Sequence, residues 1–186
     1  MRKLIVFVLL LATLYGGYWF VGQRAIETKL PEWFAERQAD GWVAEYDSIN
    51  TAGFPSRFDT TIMGLELADP RTGLAWSAPE FQFLALSYQP QHYIAIWPQD
   101  QVISNPQRKY QIHADKMVAS VTFVPGLAFT LNHSEAELEG FSVTSSDGSV
   151  TSIRKGAFYT KRSASVQNGH DVWFEAAGYK PDTGRL

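Results

Sequence analysis

Two histidines stand two residues ahead of an acid: His113 with Asp115, and His133 with Glu135. In a strand, residues i and i+2 share a face, so each pair could offer an imidazole and a carboxylate to one ion, a donor set that suits zinc or manganese. The two pairs are about 20 residues apart in the chain, and no spacing rule joins them. Polarity on an exposed strand face accounts for both, and no metal site is assigned. His92 and His170 are more isolated still. A second candidate is Ser56 beside Arg57 in "GFPSRF". Ser56 has no G-x-S-x-G elbow around it. Pro55 fixes its own φ and pushes Phe54 toward an extended conformation, while Gly53 permits a reversal. The stretch is read as a turn leading into a strand on which Phe58, Thr60 and Ile62 share a face.

A third constellation is cationic. Arg154, Lys155, Lys161 and Arg162 fall in a stretch with no acid between Asp147 and Asp171, flanking Phe158 and Tyr159. Such a hairpin could meet anionic lipid headgroups or an acidic partner, although a solvated hairpin needs no ligand. The chain has no P-loop, no dinucleotide fingerprint, no H-E-x-x-H and no Ser-His-Asp order. A hydrolase would need a polar cleft with convergent titratable groups. The expectation is a protein that is not an enzyme and needs no cofactor. With no cysteine, disulfides, thiolate nucleophiles and Cys-ligated zinc are excluded. A net charge of -3 gives no basic footprint for nucleic acid.

The elements around these residues begin with an apolar N-terminus. After "MRK", residues 4–23 ("LIVFVLLLATLYGGYWFVGQ") carry no charge, and at 1.5 Å per residue they span roughly 30 Å, about the thickness of bilayer hydrocarbon. Arg2 and Lys3 favour an N-in orientation, and Tyr15, Tyr18, Trp19 and Phe20 lie near the outer end, where such rings prefer the interface. A cleaved signal would need small residues at -3 and -1, whereas cleavage near "LYGGYWF" puts Leu14 or Tyr15 at -3. An uncleaved anchor is expected. "AIETKLPEWFAERQADG" then reads as a short membrane-proximal helix with Pro31 at its first position and Gly41 at its end. Its stripe of Leu30, Trp33, Phe34 and Arg37 packs on the domain or rests on lipid.

From Trp42 onward the period changes to two. Trp42, Ala44 and Tyr46 alternate with Val43, Glu45 and Asp47. In "EAELEGFSV", Glu135, Glu137 and Glu139 alternate against Ala136 and Leu138, a strand with one wet face. Pro and Gly punctuate the chain about every ten residues, which predicts short strands in an antiparallel meander. "WSAPEFQFLALSYQPQHYIAIWP" and "IHADKMVASVTFVPGLAFTLNH" read as diverged hairpins about 36 residues apart, with a fainter third from "SIRKGAFYT" to "HDVWFEAAG". Repeated hairpins build a sheet that grows in one direction. In "FQFLALSY", Phe81, Phe83 and Ala85 point one way and Leu84, Leu86 and Tyr88 the other. A strand apolar on both sides needs cover on both, from the helix, a second sheet or an apolar ligand.

The stretch from "GFPSRF" through "WSAP" to "YQPQH" and "IAIWP" resembles a family of uncharacterised bacterial envelope proteins catalogued as domain of unknown function 2125. "HADKMVASV" and "HDVWFEAAGYKPD" extend the likeness. The resemblance implies an N-terminal anchor followed by an exported, largely β region. It also implies that longer relatives continue past "YKPDTGRL" into further sheet, which would leave an open edge here. It implies no activity.

The resulting expectation is a mainly β protein, an antiparallel meander forming an open curved sheet or a partial barrel or sandwich. Residues 1–23 are a transmembrane anchor, 24–41 a membrane-proximal helix and 42–186 a periplasmic β domain. Its partners would be the inner membrane, a lipid, and an envelope protein, but not nucleic acid. An apolar groove of Phe81, Phe83, Leu84, Leu86, Tyr88, Ile94, Ile96 and Trp97 would hold or pass lipid. The alternative is an interaction module that pairs through an open sheet edge.

Overall fold

The computed structural model describes residues 1–126, 130–166 and 169–182. Among these, the chain forms one long helix, α1 (Arg2–Ala39), and an 11-stranded antiparallel sheet. The expected anchor and membrane-proximal helix are not separate elements. The helix continues unbroken through Gln23, and Pro31 lies inside it instead of at a first position. A proline removes one i→i−4 bond and normally kinks or ends a helix. Here bonds on both sides hold the helix against β1 (Val43–Glu45) and β2 (Ser48–Ala52). Gln23 Nε2 donates to the Thr51 carbonyl at 3.0 Å, the Thr51 amide donates to Glu27 Oε1 at 3.2 Å, and Gln38 Nε2 donates to the Ala44 carbonyl at 2.7 Å. These bonds also occupy polar backbone groups of the sheet edge. Gly41, at φ +86, follows the helix as expected.

The strands run as the meander expected, but several are longer. They are β3 (Arg57–Asp69), β4 (Leu74–Leu86), β5 (Gln89–Ile96), β6 (Asp100–Ser104), β7 (Lys109–His113), β8 (Lys116–Phe123), β9 (Leu131–Ser145), β10 (Val150–Arg162) and β11 (His170–Ala177). β1 and β2 lie end to end along β3; β5 and β6 do the same along β4, and β7 and β8 along β9. Pro79 and Gly140, which read as punctuation, lie inside strands. They belong to an irregularity that crosses the sheet at one height. The β3–β4 register steps over Gly64 and Pro79, and the β9–β10 register steps over Gly140 and Arg154.

The crease has a steric basis. Gly64 (φ +61), Gly140 (φ +59) and Gly178 (φ +69) adopt the left-handed conformation that only glycine enters without strain. A Cβ at Gly64 would stand 2.2 Å from Asp47 Oδ2, and one at Gly140 would stand 2.0 Å from Asp115 Oδ2. Each acid comes from the short link between two end-to-end strands, Asp47 between β1 and β2 and Asp115 between β7 and β8, and covers its glycine. The crease also resets side-chain phase. Trp76 and Phe81 are five residues apart in β4, which in an unbroken strand would put them on opposite faces, yet their rings meet at 5.5 Å.

The core lies where α1 covers β1–β4. Phe34, Ala44, Ile62 and Leu65 form its buried centre, with Tyr46, Ile49, Leu67, Trp76, Phe81 and Phe83 packed around it. Phe34 is the buried member of the predicted stripe, and Trp33 next to it is exposed. Nearer the N-terminus, Trp19 stacks on Phe58 at 5.8 Å and meets Phe54 edge-on at 5.3 Å.

The hairpin reading holds in an unexpected way. The turns after β2, β4, β8 and β10 all fall on the same end of the sheet, and the turns after β3, β6 and β9 on the other. Residues 127–129 of the second hairpin and 183–186 of "YKPDTGRL" lie outside the described residues.

Candidate functional site

Residues paired directly across antiparallel strands project to the same face, so the register sorts the side chains. One row runs Thr60, Phe83, Ala95, Ala119, Ala136, Phe158, Phe174. The row nearer the crease contains Ile62, Phe81, Met117, Leu138 and Gly156; Trp97 joins it through its ring contact with Phe81 at 5.3 Å. This face carries α1 at its β1–β4 side. Beyond β4 no described element covers it. The middle of the first row is a floor of small residues, Ala95, Ala119 and Ala136; beside it in the second row stand Met117 and Leu138, with Gly156 beyond them. Phe81, Phe83 and Trp97 wall one side, and Phe158 and Phe174 the other.

The opposite face is mixed. Asp59, Leu84, Ile94, Ser120, Glu135, Tyr159 and Trp173 form one row. Thr61, Gln82, Ile96, Val118, Glu137, Ala157 and Glu175 form the next. The predicted groove residues therefore do not line one surface. Phe81, Phe83 and Trp97 lie on the apolar face, whereas Leu84, Leu86, Ile94 and Ile96 form a smaller patch on the mixed face. Tyr88 belongs to neither and projects from the β4–β5 turn, 62% exposed. The alanine floor was missed because alanine in a strand reads as filler. Its signal was present: the two hairpins carry Ala95 and Ala119, and the strand "EAELEGFSV" carries Ala136, at positions that pair.

The cations also divide. Lys161 and Arg162 lie at the turn end of β10, while Arg154 and Lys155 lie at the crease. Lys155 Nζ reaches Glu139 at 3.5 Å. The histidine pairs stay apart. Along β9, His113 sits opposite Ser142, nine residues from His133, which is roughly 30 Å at strand rise. His113 Nδ1 instead bonds Asp100 Oδ1 across the strands at 2.8 Å, with Asp115 farther off at 3.8 Å. That hydrogen bond, helped by both nearby carboxylates against some desolvation, raises the His113 pKa above its usual 6.5. Among the described residues, no group of three or more histidines or acids is placed to hold a metal.

An open cleft of about 640 Å³ runs over the crease, with Glu45, Asp47, Glu66, Ser77, Asp100 and Gln111 among its lining residues. Of its four carboxylates, Glu45 and Glu66 are cross-strand partners, Glu66 also stands opposite Ser77, Asp47 lies two residues beyond Glu45 and Asp100 opens β6; among the described residues no hydrogen bond joins any of the four to Ser77. His113, the histidine cross-strand from Asp100, bonds carboxylates and no hydroxyl. In the "GFPSRF" turn, Ser56 contributes its carbonyl, which accepts from the Ser87 amide at 2.9 Å. The turn reading stands.

An antiparallel single-sheet meander with an apolar N-terminal helix and one long apolar strip defines a class of architecture but no reaction. Residues 19–185 match the family described as uncharacterized protein conserved in bacteria (DUF2125), and the chain belongs to it. No curated protein and no solved structure matches. α1 is long and apolar enough to cross a membrane, consistent with a single-pass anchor.

Proposed function

We propose that this is a non-catalytic component of the bacterial envelope, anchored in the inner membrane by α1 with its sheet in the periplasm, which holds or passes lipid acyl chains on its apolar face. The alanine floor between phenylalanine walls carries this reading. A strip of small side chains flanked by rings is shaped for a linear apolar chain, and burial of each methylene contributes about 0.8 kcal/mol. The test uses adjacent residues on opposite faces. Benzoylphenylalanine is placed at Val121, on the apolar face, or at Ser120, on the mixed face, and cells are irradiated. Phospholipid adducts at 121 and not at 120, reduced when Ala119→Phe fills the floor, are the expected result. No adducts at 121, or equal adducts at both positions, would defeat the reading.

A second reading is strand addition at β11, the last strand of the sheet path. It rests on Val172, Trp173 and Phe174, which are 59%, 54% and 69% exposed on a strand with one described neighbour. Protein adducts from benzoylphenylalanine at Trp173, with no lipid adducts at Val121, would favour it.

A further inference from the structure

We propose that the turn end of the sheet is itself a membrane-inserting surface, with the Phe54–Pro55 and Tyr88 tips entering the bilayer that α1 crosses. The inference rests on the reading of α1 as a membrane span and concerns how far the sheet descends along it. Crossing hydrocarbon takes about 20 helical residues, roughly 30 Å. Only the helix before Tyr15 projects beyond the sheet. Leu4 to Tyr15 covers about 18 Å at 1.5 Å per residue, too little to cross. The bilayer must therefore extend past Tyr15, to the level where the turns are docked.

The docking is specific. Phe54 Cε2 lies 3.6 Å from where a Gly16 Cβ would stand, and the Phe54 ring meets Phe20 at 5.6 Å. Tyr15 Oη and Ser87 Oγ are 2.8 Å apart, Tyr18 Oη donates to the Ser87 carbonyl at 2.8 Å, and Trp19 Nε1 donates to the Arg57 carbonyl at 2.6 Å. Gly16 sits about 10 Å inside the outer end of the apolar run at helical rise. Irregular backbone is tolerated at membrane depth only where its polar groups are satisfied. That condition is met at the carbonyls of Gly53, Ser56, Arg57 and Ser87 and the amides of Arg57 and Ser87. Besides the helix donors, the Arg57 amide bonds the Gly53 carbonyl and the Ser87 amide bonds the Ser56 carbonyl, each at 2.9 Å, and Ser87 is 2% exposed. Of the helix aromatics expected near the headgroups, Tyr15, Tyr18 and Trp19 also bond polar groups of the turns, while Phe20 packs on Phe54.

Polarity separates the two ends of the sheet. The end beside the projecting helix exposes Phe54, Tyr88 and Val166, at 56%, 62% and 59%. Its charges, the Arg57–Asp59 pair, Lys161 and Arg162, sit on the strand ends flanking those tips, where cations can meet headgroups. The far end carries "DPRTG", "NPQR" and "SDGS" turns, where Asp69 pairs with Arg71 and Asp147 with Arg108. Lipid against one end and water against the other accounts for this difference.

The chain has no cysteine, so single-cysteine variants of the full protein take a label cleanly. Tyr88→Cys and Phe54→Cys, with Leu10→Cys in the helix and Gln107→Cys in a far-end turn, are labelled with a polarity-sensitive fluorophore. They are then reconstituted in phosphatidylethanolamine–phosphatidylglycerol vesicles. Quenching by brominated lipid, blue-shifted emission and loss of iodide quenching at 54 and 88, as at 10, with iodide quenching retained at 107, is the expected result. Among the described residues Tyr88 makes no aromatic contact with α1, so its variant leaves the Trp19–Phe58 docking in place. If position 10 is lipid-quenched while 54 and 88 remain open to iodide, the inserted edge is refuted and the membrane span stands. If position 10 is also open to iodide, the span and the edge fall together.

Discussion

Gly140 gives the sharpest test of how this sheet is built. At φ +59 it occupies the left-handed region, where a Cβ costs roughly 1–2 kcal/mol. The group that such a Cβ would meet is the Asp115 carboxylate, on a side chain 73% exposed and free to swing into water. The steric component should therefore relax and leave mainly the conformational cost. Gly140→Ala is expected to lower unfolding stability by about 1–2 kcal/mol, and Gly140→Asn by less, because asparagine tolerates this region better than alanine. The Gly140→Ala/Asp115→Ala double variant should match the sum of the singles to within about 0.5 kcal/mol, the usual limit for uncoupled sites. The assay is urea unfolding of the detergent-solubilised protein, followed by tryptophan fluorescence. An alanine variant as stable as wild type, or more stable than the asparagine variant, would refute the crease as a left-handed device. Strong coupling in the cycle would show that Asp115 is held in place.

Three further outcomes follow from the geometry. Trp19→Ala removes a 4%-exposed ring and should cost about 3–5 kcal/mol, whereas Trp19→Phe, which loses the indole donor, should cost about 1–3; thermal unfolding and protease access at the Gly41 junction report both. His113 has a raised folded-state pKa, so its contribution to stability is complete below the unfolded value near 6.5 and is lost as pH rises through the folded value; an NMR titration should show a lower value in Asp100→Asn than in the wild type, because the largest raising contribution is removed while Asp115 stays. Asp147 is lowered to about 2, chiefly by hydrogen bonds to Ser149. Its contribution is present above 3.8 and lost as pH falls toward 2, and Ser149→Ala should move that loss to higher pH in an acid-unfolding series.

The parts of the fold legible in the sequence are those with a simple period. The uncharged run to Gln23, the alternation of Glu135, Glu137 and Glu139 against Ala136 and Leu138, and the repeated hairpins all correspond to observed elements. What escaped was the crease, because a left-handed glycine inside a strand looks in sequence like the end of one. Strand lengths were therefore underestimated at Pro79 and Gly140. The sorting of faces suffered for the same reason. Alternation divides Phe81 and Phe83 from Leu84 and Leu86 correctly within β4, but it cannot say which residues of β5 and β8 join each set. That is fixed by register, which places Ala95 and Ala119 beside Phe83, and Ile94 and Ser120 beside Leu84. The docking of Trp19 on Phe58 had no signal at all, since an aromatic at a membrane interface and one in a protein contact have the same composition.

An unbroken helix through Pro31 also sets a heading. A flexible joint near Gln23 would let the sheet turn freely about the membrane normal, so that its apolar strip faced any direction in turn. Bonds at Gln23, Glu27 and Gln38 instead lock the strip's compass bearing to that of the helix. On the anchoring proposed above, whatever holds the helix at one rotational setting in the bilayer thereby aims the strip, and a neighbour needs to grip only the lipid-embedded half to steer the other.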